Sequence, residues 1–174
     1  MRFADEPEVA SEVLIDASPA TVWALVTDIQ LPTRFSPELQ RVAWLDGADA
    51  MALGARFAGH NRSAHMGEWR TVSTVIELEP ERGYSYVVHA PEAPQDSPGA
   101  PAKPLATWRY DVAPEGGGTR LRHSVRIGLG PSGLARAIEQ APGQEEEIMA
   151  YRVSVLRRGI DATLEGVRKL AEQG

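Results

Sequence analysis

The stretch PGQEEEIMAYRVSVLRRGIDATLEGVRKLAEQ, residues 142–173, decides how the rest of this sequence is interpreted. After Pro142, three consecutive glutamates at 145–147 lie where the dipole of a helix favours negative charge. Apolar residues then recur at three- and four-residue spacing, the repeat of one helix face: Met149, Val153, Leu156, Ile160, Leu164, Val167 and Leu170. The pattern predicts one long C-terminal helix whose apolar stripe must be buried against another element.

A series of short strands precedes this helix. β-Branched and apolar residues favour an opening strand over 8–16, and Ser18-Pro19 predicts the start of a first helix that runs to about Ile29. Pro32 and Pro37 limit the next segment to a short helical turn over 33–36. Further strands are predicted at 40–45, 55–62, 69–79, 84–89, 106–112 and 119–128, with turns rich in glycine and proline between them. Because these connections are too short for crossover helices, the strands are expected to pair antiparallel.

The order of elements therefore predicts an α+β fold. We expect a curved antiparallel sheet of six or seven strands around the long C-terminal helix, with two short helices after the first strand. The sequence contains neither an internal repeat nor a domain boundary, so residues 1–174 are expected to form a single domain. Residues 91–104 hold five prolines and can be neither a central strand nor a helix. This segment is expected to be a surface excursion, which either covers the mouth of a pocket or has no role.

Charge and composition restrict the function. The chain has 18 basic and 24 acidic residues, a net charge of −6, so it has no general positive field for phosphate backbones, and nucleic acid is not an expected partner. Without cysteine it has no disulfide, thiolate nucleophile or cysteine-ligated zinc. The N-terminus is acidic and has no apolar run, which indicates neither a signal peptide nor a membrane span. We therefore expect a cytoplasmic protein without membrane insertion.

Two further patterns are weak as functional motifs. The sequence from Gly128 to Gly133 matches the glycine pattern of dinucleotide sites, but Pro131 lies inside it and an antiparallel sheet offers no nucleotide crevice. A turn explains it better. His60 and His65 are too few and wrongly spaced for a zinc site, and surface histidines are the simpler interpretation. No metal or other cofactor is expected.

Short motifs spread over nearly the whole chain together resemble one superfamily. They are Ile15-Asp16-Ala17-Ser18-Pro19-Ala20-Thr21-Val22-Trp23, Thr27-Asp28, Gly54-Ala55-Arg56-Phe57, Gly59-His60-Asn61-Arg62, Trp69, Glu79-Pro80, Trp108-Arg109-Tyr110 and Gly118-Thr119-Arg120-Leu121. In order and spacing they resemble the START-like helix-grip superfamily (SRPBCC), and more narrowly the bacterial polyketide cyclase/dehydrase and lipid-transport family. The resemblance implies a helix-grip domain over 1–174. It also implies a cavity, between the concave sheet face and the long helix, that takes an apolar or aromatic small molecule. The Pro-rich segment is longer than this family pattern implies.

Side chains alternate faces along a strand, so one inward assignment fixes its neighbours. With Phe57, Trp69 and Leu121 inward, a set of polar and aromatic side chains faces the predicted cavity, while Arg56, His60 and Arg62 face outward. We predict these ligand-binding residues: Asn61, Trp69, Thr71, Ser73, Tyr84, Tyr86 and Trp108. Sparse polar groups of this kind orient a ligand in an apolar pocket, and ordinary core packing is the alternative for each aromatic residue.

His123 and Tyr110 are the candidate catalytic residues. Imidazole titrates near neutral pH and can move protons in an enclosed site. On a face shared with Leu121 and Val125, His123 needs a hydrogen-bond partner, which Tyr110 or a residue of the helix could provide. A buried histidine satisfied by one hydrogen bond, with no chemical role, is the alternative.

Three functions remain open at this point. The protein could bind or carry a small hydrophobic, aromatic, polyketide- or lipid-like molecule. It could be an aromatase/cyclase or dehydratase that folds a reactive poly-ketone chain in the same cavity. It could be a protein-interaction module whose cavity is filled. Edge strands leave a homodimer open as well.

Overall fold

The computed structural model describes residues 1–91 and 102–174. Seven strands form one antiparallel sheet: β1 (Glu8–Ile15), β2 (Leu39–Trp44), β3 (Arg56–Ser63), β4 (Gly67–Glu79), β5 (Gly83–His89), β6 (Ala106–Glu115) and β7 (Gly118–Ile127). The helices are α1 (Pro19–Val26), α2 (Gly133–Gln140) and α3 (Glu145–Gln173), with short 3₁₀ helices at Phe3–Asp5, Leu31–Arg34 and Pro142–Gln144. The predicted α+β helix-grip fold, with a seven-stranded sheet and a long C-terminal helix, is confirmed.

The strand order across the sheet is β1-β7-β6-β5-β4-β3-β2. Strands β2 to β7 pair as neighbours in the order in which they occur in the chain. The first strand, β1, pairs with the last, β7. The register is continuous from β5 through β7, whereas bulges interrupt the β2–β3 and β4–β5 pairs. Such bulges bend a sheet, and the bends here lie in the half that includes β2, β3 and β4.

The first helix is shorter than its apolar pattern predicts. The Ser18 hydroxyl accepts a hydrogen bond from the Thr21 amide at 3.2 Å, as the sequence led us to expect of a helix cap. The helix ends at Val26 rather than Ile29, and the Thr27 hydroxyl donates to the Trp23 carbonyl at 2.7 Å. A 3₁₀ helix then occupies Leu31–Arg34, two residues before the predicted turn. The N-terminal 3₁₀ helix was not predicted.

The long helix α3 lies along β1. The Phe3 amide donates to the Glu145 carboxylate at 2.8 Å, the Arg157 guanidinium donates to the Ala10 carbonyl at 3.1 Å, and the Asp16 amide donates to the Glu172 carboxylate at 3.1 Å. These three contacts occur in the same order along both elements, so α3 runs parallel to β1. No helix in the described ranges is both long and apolar enough to cross a membrane.

The apolar stripe of α3 is buried as its spacing predicted. The residues Met149, Leu156, Ile160, Leu164 and Val167 are less than one tenth exposed, and Val153 and Leu170 pack against them. They belong to a large core cluster that also includes Val22, Tyr84, Tyr110 and Leu121. A second, smaller cluster holds Ile29, Val42, Phe57 and Val75, of which the last three lie on β2, β3 and β4.

The glycines from Gly128 to Gly133 serve packing. A Cβ atom at Gly128 would overlap the Pro104 carbonyl, and one at Gly130 would overlap the Lys103 carbonyl. The Gly130 amide donates to Pro104 at 2.9 Å, so a neighbouring backbone occupies the space that a side chain would need. Residues 92–101 of the predicted Pro-rich excursion lie outside the described residues, and that prediction stands as made.

Candidate functional site

A cavity of about 930 Å³ lies between the concave face of the sheet and α3. All nine of the predicted site residues line it: Asn61, Trp69, Thr71, Ser73, Tyr84, Tyr86, Trp108, Tyr110 and His123. The opposite wall consists of Arg152, Val155, Leu156, Gly159 and Thr163 of α3, and the segment between the second 3₁₀ helix and β2. The sheet wall therefore combines aromatic rings with hydroxyl, amide and imidazole groups.

The strand register brings these side chains together. Tyr84 on β5 is paired with Tyr110 on β6, and Tyr110 is paired with His123 on β7, so the three form one row across the sheet. The next row on the same face contains Tyr86, Trp108 and Val125. Residues paired across strands lie side by side on one face, which explains why residues far apart in sequence meet here.

His123 is held between two aromatic rings. Its imidazole stacks on the Tyr110 ring with centroids 3.8 Å apart and an interplanar angle of 5°, and on the Trp108 ring at 5.0 Å and 28°. The three side chains form what we call the His123 stack. A face-to-face ring cannot hydrogen-bond through its edge, so Tyr110 is not the partner that the sequence suggested. The Nδ1 atom of His123 instead lies 3.0 Å from the backbone carbonyl of Arg109.

This environment determines the protonation state of His123. A carbonyl only accepts, so Nδ1 carries the proton and donates, which leaves Nε2 as an acceptor. Burial lowers the pKa of His123 to about 4, with the Arg109 carbonyl opposing the shift. At neutral pH the ring is uncharged. Within the described part of the chain, no residue hydrogen-bonds Nε2.

The three tyrosines of the wall differ in their hydroxyl groups. Tyr84 donates its hydroxyl to the Val26 carbonyl at the end of α1, which ties the sheet to that helix. The hydroxyls of Tyr86 and Tyr110 have no partner on the residues that the structure describes. Burial raises the pKa of all three, so each stays protonated and able to donate. Among the three tyrosines, Tyr86 and Tyr110 thus have hydroxyl groups that can still donate to a ligand.

Residues 35–38, which we call the clasp segment, lie along α3 on the other side of the cavity. The Phe35 ring packs on Gly166, Pro37 lies against Gly159, and the Glu38 carboxylate accepts two bonds from Arg152 at 2.7 and 3.0 Å. The three helix positions are seven residues apart, so they fall on one face of α3. Both members of the Glu38–Arg152 pair line the cavity.

Sequence reasoning missed the clasp segment and its ion pair. Neither residue was predicted as part of the site, yet the side chain of Arg152 is only 23% exposed, and that of Glu38 only 13%. The available signal was the pair of glycines in α3, since glycine inside a helix is unfavourable unless another element approaches closely.

Basic residues border the cavity at the β2 edge of the sheet. Arg41, His60 and Arg70 are paired across β2, β3 and β4, one position away from Gly59, Asn61 and Thr71. Their side chains therefore lie on the outer face of the sheet, as the alternation predicted for His60. Burial, together with the charges of Arg41 and Arg70, lowers the pKa of His60. The other histidine of that hairpin, His65, packs edge-on against Tyr151 at 5.1 Å.

Known proteins share this architecture. The Polyketide_cyc-like protein Cgl2372 from Corynebacterium glutamicum is 26% identical with a TM-score of 0.61, covering 95% of this chain and 91% of that one. TTHA0849 from Thermus thermophilus is 17% identical with a TM-score of 0.60, covering 95% and 99%. The di-domain ARO/CYC BexL from the BE-7585A biosynthetic pathway is 20% identical with a TM-score of 0.65, covering 95% of this chain and 50% of BexL.

No curated protein sequence matches the chain. A family model described as polyketide cyclase / dehydrase and lipid transport matches residues 6–172, which include the seven described strands, α1, α2, all of α3 except Gln173, and the described cavity wall. The chain therefore belongs to the polyketide cyclase/dehydrase and lipid-transport family of the START-like helix-grip proteins.

Proposed function

We propose that this protein binds a small hydrophobic molecule with an aromatic, polyketide- or lipid-like body in the cavity between the sheet and α3. The observation that carries this proposal is the cavity itself, whose volume of about 930 Å³ is within the range of small-molecule sites. Its wall presents Trp69, Tyr86 and Trp108 as flat apolar surfaces. Asn61, Thr71 and Ser73 add a few polar groups that orient a bound molecule. Membership of a family that includes lipid transport supports the same proposal.

Native mass spectrometry of the freshly purified protein is the first test. We expect a stoichiometric apolar compound that leaves on denaturation and is then identified. The neutral fluorophore N-phenyl-1-naphthylamine provides the matching binding assay, with one molecule expected per chain. If no compound co-purifies and the fluorophore does not bind, the proposal is wrong.

Two tryptophan substitutions on α3 show where the fluorophore binds. Val155→Trp adds a large ring inside the cavity and should weaken binding at least about tenfold, since it removes space that the ligand needs. Ser154→Trp places the same ring at the preceding, exposed position and should leave the binding affinity within about twofold of the wild type. Equal effects of the two substitutions would place the bound fluorophore elsewhere.

Cyclase or dehydratase chemistry is the second candidate, and the His123 stack is the observation that favours it. A carbon between two carbonyls is acidic, and an uncharged Nε2 could take its proton while Tyr86 or Tyr110 donates to the enolate oxygen. The enolate carbon then forms a bond to a second carbonyl carbon of the same chain, and the new alkoxide takes up a proton. The hydroxyl then leaves as water together with a proton from the adjacent ring carbon, which forms a C=C bond, so the sequence needs no oxidant or cofactor.

The test of this candidate is turnover of a synthetic aryl triketone, followed by product absorbance. His123→Gln keeps a donor toward the Arg109 carbonyl but removes the base, so the rate should fall about 10²-fold while fluorophore binding stays unchanged. Since the neutral imidazole persists down to a pKa of about 4, the wild-type rate should not fall between pH 7 and pH 5. A wild-type rate no faster than buffer would leave binding as the only function.

The filled-cavity interaction module is the weakest of the three, because a cavity of about 930 Å³ remains between the sheet and α3. We keep two further expectations within the proposal: a cytoplasmic location, and a homodimer through the outer edge of β1 or β2. Analytical ultracentrifugation of the full chain distinguishes the dimer from a monomer.

A further inference from the structure

We propose that the ligand carries an acidic group, such as a carboxylate, and that Arg152 binds it. This inference rests on the proposed binding function and narrows its ligand class, from any small hydrophobic molecule to an amphipathic acid. Three properties of the cavity support it: the sign of its charge, the unused donors of Arg152, and the way in which Arg152 is held.

The charged residues that border the cavity are mostly basic, although the whole chain is acidic. The protein has a net charge of −6, yet the described residues that line the cavity include four arginines and only two glutamates. The arginines are Arg41, Arg70, Arg136 and Arg152, and the glutamates are Glu38 and Glu68. Arg41, Arg70 and Arg136 are exposed, and Arg41 and Arg70 lie on the outer face of the sheet, so they attract anions from solution toward the cavity. Arg152 is the arginine of the interior wall, where a ligand of negative charge would meet it.

Arg152 has donors left over after it binds Glu38. A guanidinium group has five N–H donors in a planar arrangement, and Glu38 takes bonds only from one terminal nitrogen, Nη1. No described residue hydrogen-bonds Nε or Nη2 of Arg152. The edge formed by Nε and Nη2 is the geometry that binds a carboxylate with two parallel hydrogen bonds.

The clasp segment holds Arg152 in position. Glu38 is fixed because Pro37 packs on Gly159 and the Phe35 ring packs on Gly166, and Glu38 in turn orients the guanidinium. A side chain that is ordered before binding loses less conformational entropy when the ligand arrives. Glu38 also balances the charge of Arg152 while the cavity has no anion in it. Its carboxylate competes with the ligand, so it limits the affinity for acids.

The remaining wall suits the rest of such a molecule. Tyr86 and Trp108 on β5 and β6 offer ring faces, whereas the charged pair is on α3 and in the clasp segment. An aromatic body against the sheet would direct its acidic group toward α3. The ligand would thus lie across the cavity rather than along the strands.

A matched pair of fluorophores tests the inference. 1-Anilinonaphthalene-8-sulfonate and N-phenyl-1-naphthylamine share one aromatic body and differ by a sulfonate. We expect the wild type to bind the sulfonate at least several-fold more tightly than the neutral compound. Arg152→Gln should weaken binding of the sulfonate about tenfold and change the affinity for the neutral compound by less than about twofold. Arg158→Gln, an exposed position on the same helix, is the control and should change neither.

Glu38→Gln gives a second readout of opposite sign. It leaves Arg152 in place but removes the competing carboxylate, so it should strengthen sulfonate binding several-fold. If both fluorophores bind equally well, or if Arg152→Gln weakens both to the same extent, the acidic ligand class is wrong although the cavity still binds. If neither fluorophore binds the wild type, the proposed function itself fails and this inference fails with it.

Discussion

One side of α3 packs into a filled core, and another side of the same helix faces the cavity. On the first side, Ile160, Leu164 and Val167 are almost fully buried against α1 and β7. On the second side, Arg152, Val155 and Gly159 line open space. The sheet divides in the same way. The large core cluster contains residues of β1, β6 and β7, and the small core cluster contains residues of β2, β3 and β4.

The difference shows how a small domain combines stability with a binding site. Close packing on the β1 side provides most of the apolar burial, so the β2 side need not be filled. The residues proposed for chemistry lie where the two regions meet, because Tyr110 and His123 belong to the buried rows and still border the cavity. If this division is correct, the same substitution must have different costs on the two sides of α3.

The largest effect should come from a pair of leucines. Leu164→Ala removes a side chain that is 3% exposed within the packed side, and should lower the free energy of unfolding by about 3–5 kcal/mol. Leu156→Ala removes an equal volume beside a cavity that already exists, and should cost about 2 kcal/mol. Urea unfolding measures both. Equal losses would mean that the two sides are packed alike.

The pH dependence of stability tests the boundary between the two regions. The folded pKa of His123 is about 4, below the ordinary value of 6.5, so between these values the unfolded chain binds a proton that the folded chain does not. Stability should therefore fall as the pH drops from 6.5 to 4, by roughly 3 kcal/mol in total, and this contribution should be constant above pH 6.5.

Two variants isolate the contribution of His123. His123→Gln should flatten the slope of unfolding free energy between pH 6.5 and 4, whereas His65→Gln at an exposed hairpin position should keep the wild-type slope. Proton NMR of the imidazole signals gives an independent check, because His123 should not titrate until the pH is close to 4. A midpoint near 6.5 would show that the His123 stack is open to water.

The smallest effect, and the most local, concerns the two glycines under the clasp segment. A methyl group at Gly166 would overlap the Phe35 ring, so Gly166→Ala should lower the unfolding free energy by about 1–2 kcal/mol despite better helix propensity. At Gly159 the added Cβ would lie 3.5 Å from Pro37, which is an ordinary contact. Gly159→Ala should therefore raise the unfolding free energy by about 0.5–1 kcal/mol. Thermal unfolding distinguishes the two, and a loss at Gly159 would contradict this account.

The sequence was informative where one local rule decides the structure. The three- and four-residue spacing from Met149 to Leu170 predicted α3, and strand alternation placed residues from Asn61 to His123 along one wall. It failed where the partner is distant in the chain. His123 donates to the Arg109 carbonyl rather than to Tyr110, because the Tyr110 and His123 rings are paired across the strands and stack face to face. That pairing depends on the strand register, which composition does not reveal. Glu38 and Arg152 are 114 residues apart, so no local pattern relates them.

The clasp segment also works as a spacer of defined length. Phe35 is held at Gly166 and Glu38 at Arg152, and β2 begins at the next residue, Leu39, so these contacts set how far β2 stands from α3. A related chain with one more residue between Glu38 and β2 would keep both end contacts while β2 moved outward. Such a chain would accommodate a bulkier molecule with every side chain of the wall unchanged. Ligand size in this fold could thus diverge through the length of one short connection.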